Sequence, residues 1–187
     1  MRSETSKISN ATRFYRKIHK WIAIPLSIFL LLVGITGLLL GWKKQTELLP
    51  KTESSISPNN KPFIKLDSLQ NIAKTYARNH MKLSDEIDRI DIRPKKGIAK
   101  IVFSNHFTEL QIDTKSGEIL ALNTRKSDFI EKIHDGSIID YFLKNENDNF
   151  KLIYTTFTSL GLIILSFTGF WLWYNPIRIR KRKEMKN

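Results

Sequence analysis

From Ile22 to Trp42 the chain runs for 21 residues without a charge. At 1.5 Å of rise per residue, a helix of that length measures about 31 Å, the thickness of a bilayer's hydrocarbon core. Trp21 and Trp42 stand at its ends, and Arg13, Arg16, Lys17 and Lys20 precede it. Aromatic rings at the headgroup level and a basic flank predict a span that enters from the cytoplasmic side. The apolar core is too long for a cleaved signal peptide and ends in Gly41, Trp42, Lys43 and Lys44, so it reads as a retained anchor. The helix is expected to begin near Thr12 or Arg13 and to continue to about Leu49, with a mild kink at Pro25. Stepping by threes and fours from His19 reaches Ala23, Ser27, Leu30, Gly34, Gly37 and Gly41, a face of mostly small residues that predicts a groove for another helix or a flat ligand.

A second uncharged run covers 26 residues, Leu152 to Ile177, and its apolar part to Tyr174 spans about 34 Å. It ends in Trp171, Trp173 and Tyr174, and it carries a strip of Thr158, Gly161, Thr168 and Gly169 suited to packing on the first groove. The formal charge of +13 is distributed to match. Residues 1–20 and residues 175–187 each hold six Lys/Arg and one Glu, whereas residues 43–149 hold eighteen Lys/Arg against sixteen Asp/Glu. Basic tails around a nearly balanced middle are what the positive-inside rule produces, so the charge argues for orientation in a membrane and against nucleic acid.

Between the spans, 43–64 reads as a linker rich in Ser54, Ser55, Ser57, Pro58, Asn59 and Asn60. Asp67 and Gln70 form a capping-box pattern ahead of Leu69, Ile72, Ala73 and Tyr76 at helical spacing, and His80 closes that helix where its dipole favours a cation. The period then changes to two: Ile90 and Ile92; Ala99, Ile101 and Phe103; Thr108, Leu110 and Ile112; Leu120 and Leu122. Turns at Lys95 to Gly97, Ser104 and Asn105, and Asp113 to Gly117 separate these runs. They predict a small antiparallel sheet with one wet face, covered on its dry face by the helix, and an exposed His106. Asp85, Glu86, Asp88 and Asp91 read as a solvated face. A further short helix is expected from Ser127 or Asp128, closed by Glu131 in a capping box, carrying His134 and stopped by Gly136. The fold class is a membrane α+β protein, with two transmembrane helices flanking a small extracytoplasmic domain. Its segments are 1–21 (basic N-terminus), 22–42 (first span), 43–64 (linker), 65–122 (domain), 123–150 (connector), 151–174 (second span) and 175–187 (basic tail).

Several stretches together carry a resemblance: Arg16, Lys17, Ile18, His19, Lys20 and Trp21 running into Gly34, Ile35, Thr36 and Gly37; a helix and strands closing on Leu110 to Asp113 and Ser116 to Leu120; Ile133, His134, Asp135 and Gly136; and Ser166 to Gly169 followed by Phe170 to Trp173. In this order they resemble the PepSY-associated transmembrane family over nearly the whole chain. That family includes bacterial iron-regulated inner-membrane proteins, among them siderophore-iron reductases that bind b-type haem. The resemblance implies a periplasmic PepSY-like domain at 65–122 and haem b at His19 and His134; the basic tails, independently, are expected to place both termini in the cytoplasm. The reductases have four spans and this chain has two, so it resembles half of such a unit and calls for a second copy or a partner membrane subunit.

On residue chemistry alone, His19 is equally an interfacial anchor, and His134 equally a surface residue of a short helix. The glycine face is better explained as a helix contact than as a porphyrin seat. The two histidines fall at opposite membrane faces, so they are expected to serve different irons. The chain has no cysteine, which excludes disulfides, thiolate metal sites and covalent haem. It also has no hydrolase triad, phosphate loop or His-Glu-x-x-His helix, and no residue reads as catalytic. Two functions follow. One is transmembrane electron transfer that reduces periplasmic ferric-siderophore or other ferric iron. The other is a non-redox, membrane-anchored PepSY module that binds and regulates a periplasmic peptidase or a membrane partner.

Overall fold

The computed structural model describes residues 2–58 and 62–184. Asn59 and Asn60 of the linker and the last three residues of the basic tail lie outside the described residues. The chain forms two compact units, Met1–Leu38 with Lys132–Asn187, and Leu39–Glu131.

The first unit is built on two long helices, α1 (Arg2–Gly41) and α5 (Asn149–Glu184). Within them Ser9–Gly41 and Asn149–Lys181 are long and apolar enough to cross a membrane. α1 starts earlier than expected and runs through Pro25; it stops at Gly41 rather than Leu49, giving way to turns. The helices pair antiparallel. Asn175 Nδ2 donates to Thr12 Oγ1 (3.1 Å), the Tyr15 and Trp171 rings lie 5.5 Å apart, and Phe29 meets Phe157 at 5.8 Å. Leu26 is fully buried, and a Cβ added to Gly161 would fall 2.6 Å from its Cδ2.

Among the covered positions of α1, Thr12, Tyr15, His19, Ile22, Leu26, Val33 and Thr36 recur at the 3.5-residue spacing of a coiled-coil seam. On α5 the matching positions include Thr158, Gly161, Leu165, Thr168, Leu172 and Asn175. This corrects the expected groove in part: His19, Ala23, Leu30 and Gly37 of that face are half-buried, whereas Ser27, Gly34 and Gly41 are exposed. The path from His19 through Gly34 to Gly41 advances about 3.7 residues per step, so it drifts off a seam of period 3.5. Gly34 and Gly41 accordingly have nothing near the place of a Cβ. The Thr158, Gly161 and Thr168 strip is buried as anticipated, but it meets Leu26 and His19 rather than the glycines.

The second unit holds α2 (Leu66–Tyr76), continued by a π-helical turn (Ala77–Met81), and a four-stranded antiparallel meander. Its strands are β1 (Ile87–Arg93), β2 (Ile98–Phe103), β3 (Thr108–Asp113) and β4 (Ile119–Thr124). The helix cap is Lys65, with no side-chain capping bond, so the Asp67 and Gln70 box is not formed; Asp67 lies in the first turn, where the dipole favours it. Leu69, Ala73 and Ala77 cover Ala99, Ile101, Phe103, Leu110 and Ile112, the dry face that period two predicts. Register pairs Ala99 with Ile112 and Ile101 with Leu110.

The other face is not wet. Lys100, Glu109, Gln111 and Asp113 are buried on it. The expected linker is a strap tied to this face: Glu53 N donates to Gln111 Oε1 (2.8 Å), Gln111 Nε2 donates to the Lys51 carbonyl (2.8 Å), and Ser55 Oγ donates to Asp113 Oδ2 (2.7 Å). Glu109 accepts from Lys100 Nζ (2.9 Å), Gln111 Nε2 (2.7 Å) and Arg125. A buried carboxylate is tolerable because each of its oxygens has a cation. Asp113 feels burial pushing its pKa up, but bonds from Ser55, Lys115, Ser116 and Ser57 outweigh that and hold it well below the usual carboxylate range. In the turn before β2, where Ser55 N of the strap bonds the Lys96 carbonyl, Gly97 sits at φ +65° with Ser55 Cβ 2.7 Å from any added Cβ, so only glycine fits.

α3 (Lys126–His134) and α4 (Ser137–Leu143) connect β4 to α5. α4 has no counterpart in the sequence reading, because Gly136 opens a new helix instead of only ending the old one.

Candidate functional site

His19 lies on the seam of α1, half-buried, with Nδ1 2.7 Å from Thr168 Oγ1 of α5. The Thr168 hydroxyl donates to the Ile164 carbonyl at 2.7 Å, with the Leu165 carbonyl at 3.2 Å. A Cβ on the next residue, Gly169, would come 3.5 Å from His19 Cε1. His134, the last residue of α3, is held in the same way from α1. Its Nδ1 is 2.8 Å from Thr36 Oγ1, which donates to the Leu32 carbonyl at 2.7 Å. A Cβ on Gly37 would sit 3.4 Å from its Cε1. Each ring therefore rests on a Thr-Gly pair of a long helix. Among the described residues the Nε2 of each has no hydrogen-bond partner.

The turn after His134 is rigidly built. Asp135 accepts from Ser137 N (3.0 Å) and Oγ (2.7 Å) and pairs with Lys151 (3.1 Å). Burial works against its charge, yet these bonds lower its pKa overall. Gly136 is at φ +81°, and a Cβ there would lie 2.6 Å from the Tyr154 ring, so the corner admits only glycine. Asp140 takes the Phe150 and Lys151 amides at 3.1 and 2.8 Å, satisfying the first turn of α5. These ties fix the end of α3 against α5.

Thr36 lies 17 residues beyond His19 on α1, about 26 Å along the helix. His134 is on Thr36, so the two imidazoles are not brought together and no single ion touches both. No group of three or more His, Cys, Asp or Glu side chains suited to a metal occurs among the described residues. The other histidines are engaged elsewhere. His80 stacks on Tyr76 at 4.7 Å. His106 is not simply exposed as expected: it is half-buried, stacks on Phe103, bonds Thr108 through Nδ1 and sits 2.9 Å from the Ser84 carbonyl through Nε2. An imidazole with one nitrogen held and the other open is the donor that haem iron takes from histidine, so His19 and His134 fit that group and His106 does not.

The sequence reading singled out both histidines and missed the role of both threonines. Thr36 was visible only as part of a motif, and Thr168 only as a small packing residue. The available signal was the Thr-Gly dipeptide repeated once in each span.

Two antiparallel membrane-spanning helices with an α+β domain inserted between them, and a histidine seated on each helix, define the class of protein. The chain belongs to the PepSY-associated TM region family, whose sequence profile matches residues 16–187. No curated protein matches it.

Proposed function

We propose that this chain is a haem b-binding protein of the bacterial inner membrane that passes electrons across the membrane to periplasmic ferric iron, ferric-siderophore complexes included. The observation that carries the reading is the pair of imidazoles seated on Thr168 and on Thr36, the latter about 26 Å along α1 from His19, each with Nδ1 held by threonine and, among the described residues, Nε2 without a partner. His19 and His134 are the residues that would hold two haems. Haem b so ligated supplies a reversible one-electron couple. Each histidine offers one ligand, so the other comes from a second copy of this chain or from a partner membrane subunit. The open small-residue face of Ser27, Gly34 and Gly41 is where a second copy would approach closely. Basic tails support a cytoplasmic position for both termini and a periplasmic one for the domain. The ferric substrate rests on the family resemblance.

A dithionite-reduced minus oxidised spectrum of the purified protein is expected to show the sharp α-band of a bis-histidine b-type haem. His19→Ala and His134→Ala should each remove part of the haem, because the two residues serve different irons. Loss of all haem from either change would mean mutually dependent sites. Haem-free protein, expressed with ample haem and its genomic neighbours, would overturn the reading in favour of the anchored binding module.

A further inference from the structure

We infer that Thr36 and Thr168 are positioning residues: they hold His134 and His19 in the tautomer that carries its hydrogen on Nδ1, so that Nε2 presents its electron pair. The argument is one of donors and acceptors. A threonine hydroxyl has one hydrogen. In both helices that hydrogen is committed to the carbonyl four residues back, Leu32 for Thr36 and Ile164 for Thr168, each at 2.7 Å. Were the hydroxyl turned to Nδ1 instead, its oxygen and the carbonyl oxygen would face each other at 2.7 Å with no hydrogen between them, which favours keeping the hydrogen on the carbonyl. With the hydrogen there, the hydroxyl oxygen accepts and the ring nitrogens 2.8 and 2.7 Å away are the donors. A neutral imidazole has one N–H, so Nε2 keeps its lone pair.

The device occurs twice with the helices exchanged. The Thr-Gly pair of α5 serves a histidine of α1, and the Thr-Gly pair of α1 serves the histidine ending α3. The glycines leave room for the rings to lie against the helix, with the place of a Cβ already in contact at 3.4 and 3.5 Å.

For its purpose this inference rests on the haem reading. There, donation from Nδ1–H raises the basicity of Nε2 and favours the ferric state. Valine keeps the shape of threonine and removes the acceptor, so the ring loses its polar partner and is free to place its hydrogen on Nε2. Serine keeps the acceptor.

The first test needs no haem. In haem-free protein labelled with 15N-histidine, nitrogen chemical shifts report which ring nitrogen is protonated. The wild type should show His19 and His134 with hydrogen on Nδ1. Thr168→Val should abolish this for His19 alone, Thr36→Val for His134 alone, and the serine variants should preserve it. Wild-type rings protonated on Nε2, or valine variants with unchanged tautomers, would overturn the inference whether or not haem binds. The second test uses haem-loaded protein. Each valine variant should hold one haem about tenfold or more weakly, shift that haem's midpoint potential positive and leave the other unchanged, with serine restoring both. Unaltered retention and potential in both valine variants would overturn the positioning role while leaving the proposed function standing. A wild type that takes up no haem but shows both Nδ1–H tautomers would overturn the proposed function and support the assignment of the threonines.

Discussion

Asp113 shows how one side chain can hold a segment that sequence patterning reads as a loop. Its Oδ2 accepts from Ser55 Oγ and the amides of Ile56 and Ser57, and its Oδ1 accepts from the amides of Lys115 and Ser116. Asparagine would keep one acceptor and turn an N–H toward the other donors. Hydrogen bonds to charged groups contribute about 1.5–3 kcal/mol each, so Asp113→Asn should speed amide exchange at Ile56 and Ser57 by roughly 10- to 100-fold at neutral pH. The pH dependence has a definite sign. Asp113 has a folded pKa below its ordinary value, so its stabilisation is complete above about pH 4 and is lost as the pH falls through the folded value. Wild-type exchange at these amides, corrected for its intrinsic rate, should be flat from neutral down to about pH 5 and rise only in stronger acid. Exchange unchanged in Asp113→Asn would show that Lys51 and Glu53 hold the strap without it.

Among the elements, the helix pair makes a sharper distinction between its glycines than composition does. Gly161 is buried against Leu26, and Gly34 is open. Gly161→Leu must displace a fully buried side chain, at a cost of about 1–3 kcal/mol. Gly34→Leu should stay within about 0.5 kcal/mol for the single chain. Thermal unfolding in detergent compares the two, and equal effects would mean that α1 and α5 do not pair along this seam. If a second copy approaches at Ser27, Gly34 and Gly41, Gly34→Leu should also reduce crosslinked dimer with no change in membrane insertion. Gly37→Leu is a poorer probe of that contact, since Gly37 lies against His134. Periodicity identified the strands and α2 because each is a local pattern. It missed α4, which is only seven residues long. It also missed the strap, whose polar residues satisfy a buried face instead of water.

For the whole molecule, the charge distribution makes a topological prediction. Both basic tails belong on the cytoplasmic side and residues 43–149 on the other. A reporter that is active only in the cytoplasm should work when fused after Asn187, and a cysteine placed in the turn at Lys115 should be labelled by an impermeant reagent from outside intact cells. Labelling from the cytoplasmic side alone would invert the assignment.

The sequence by itself determined what contiguous residues encode: two uncharged runs long enough to span a bilayer, four alternating segments that pair as a meander, the apolar face of α2, and family membership. Tertiary structure alone decided which faces meet. His19 finds Thr168 across 149 positions, His134 finds Thr36 across 98, and Ser55 finds Asp113 across 58. A hydropathy pattern states that a helix has a packing face without choosing between a path of period 3.5 and one near 3.7. That choice falls to interlocking partners, Leu26 against Gly161 and histidine against threonine, and those contacts exist only once the helices have docked.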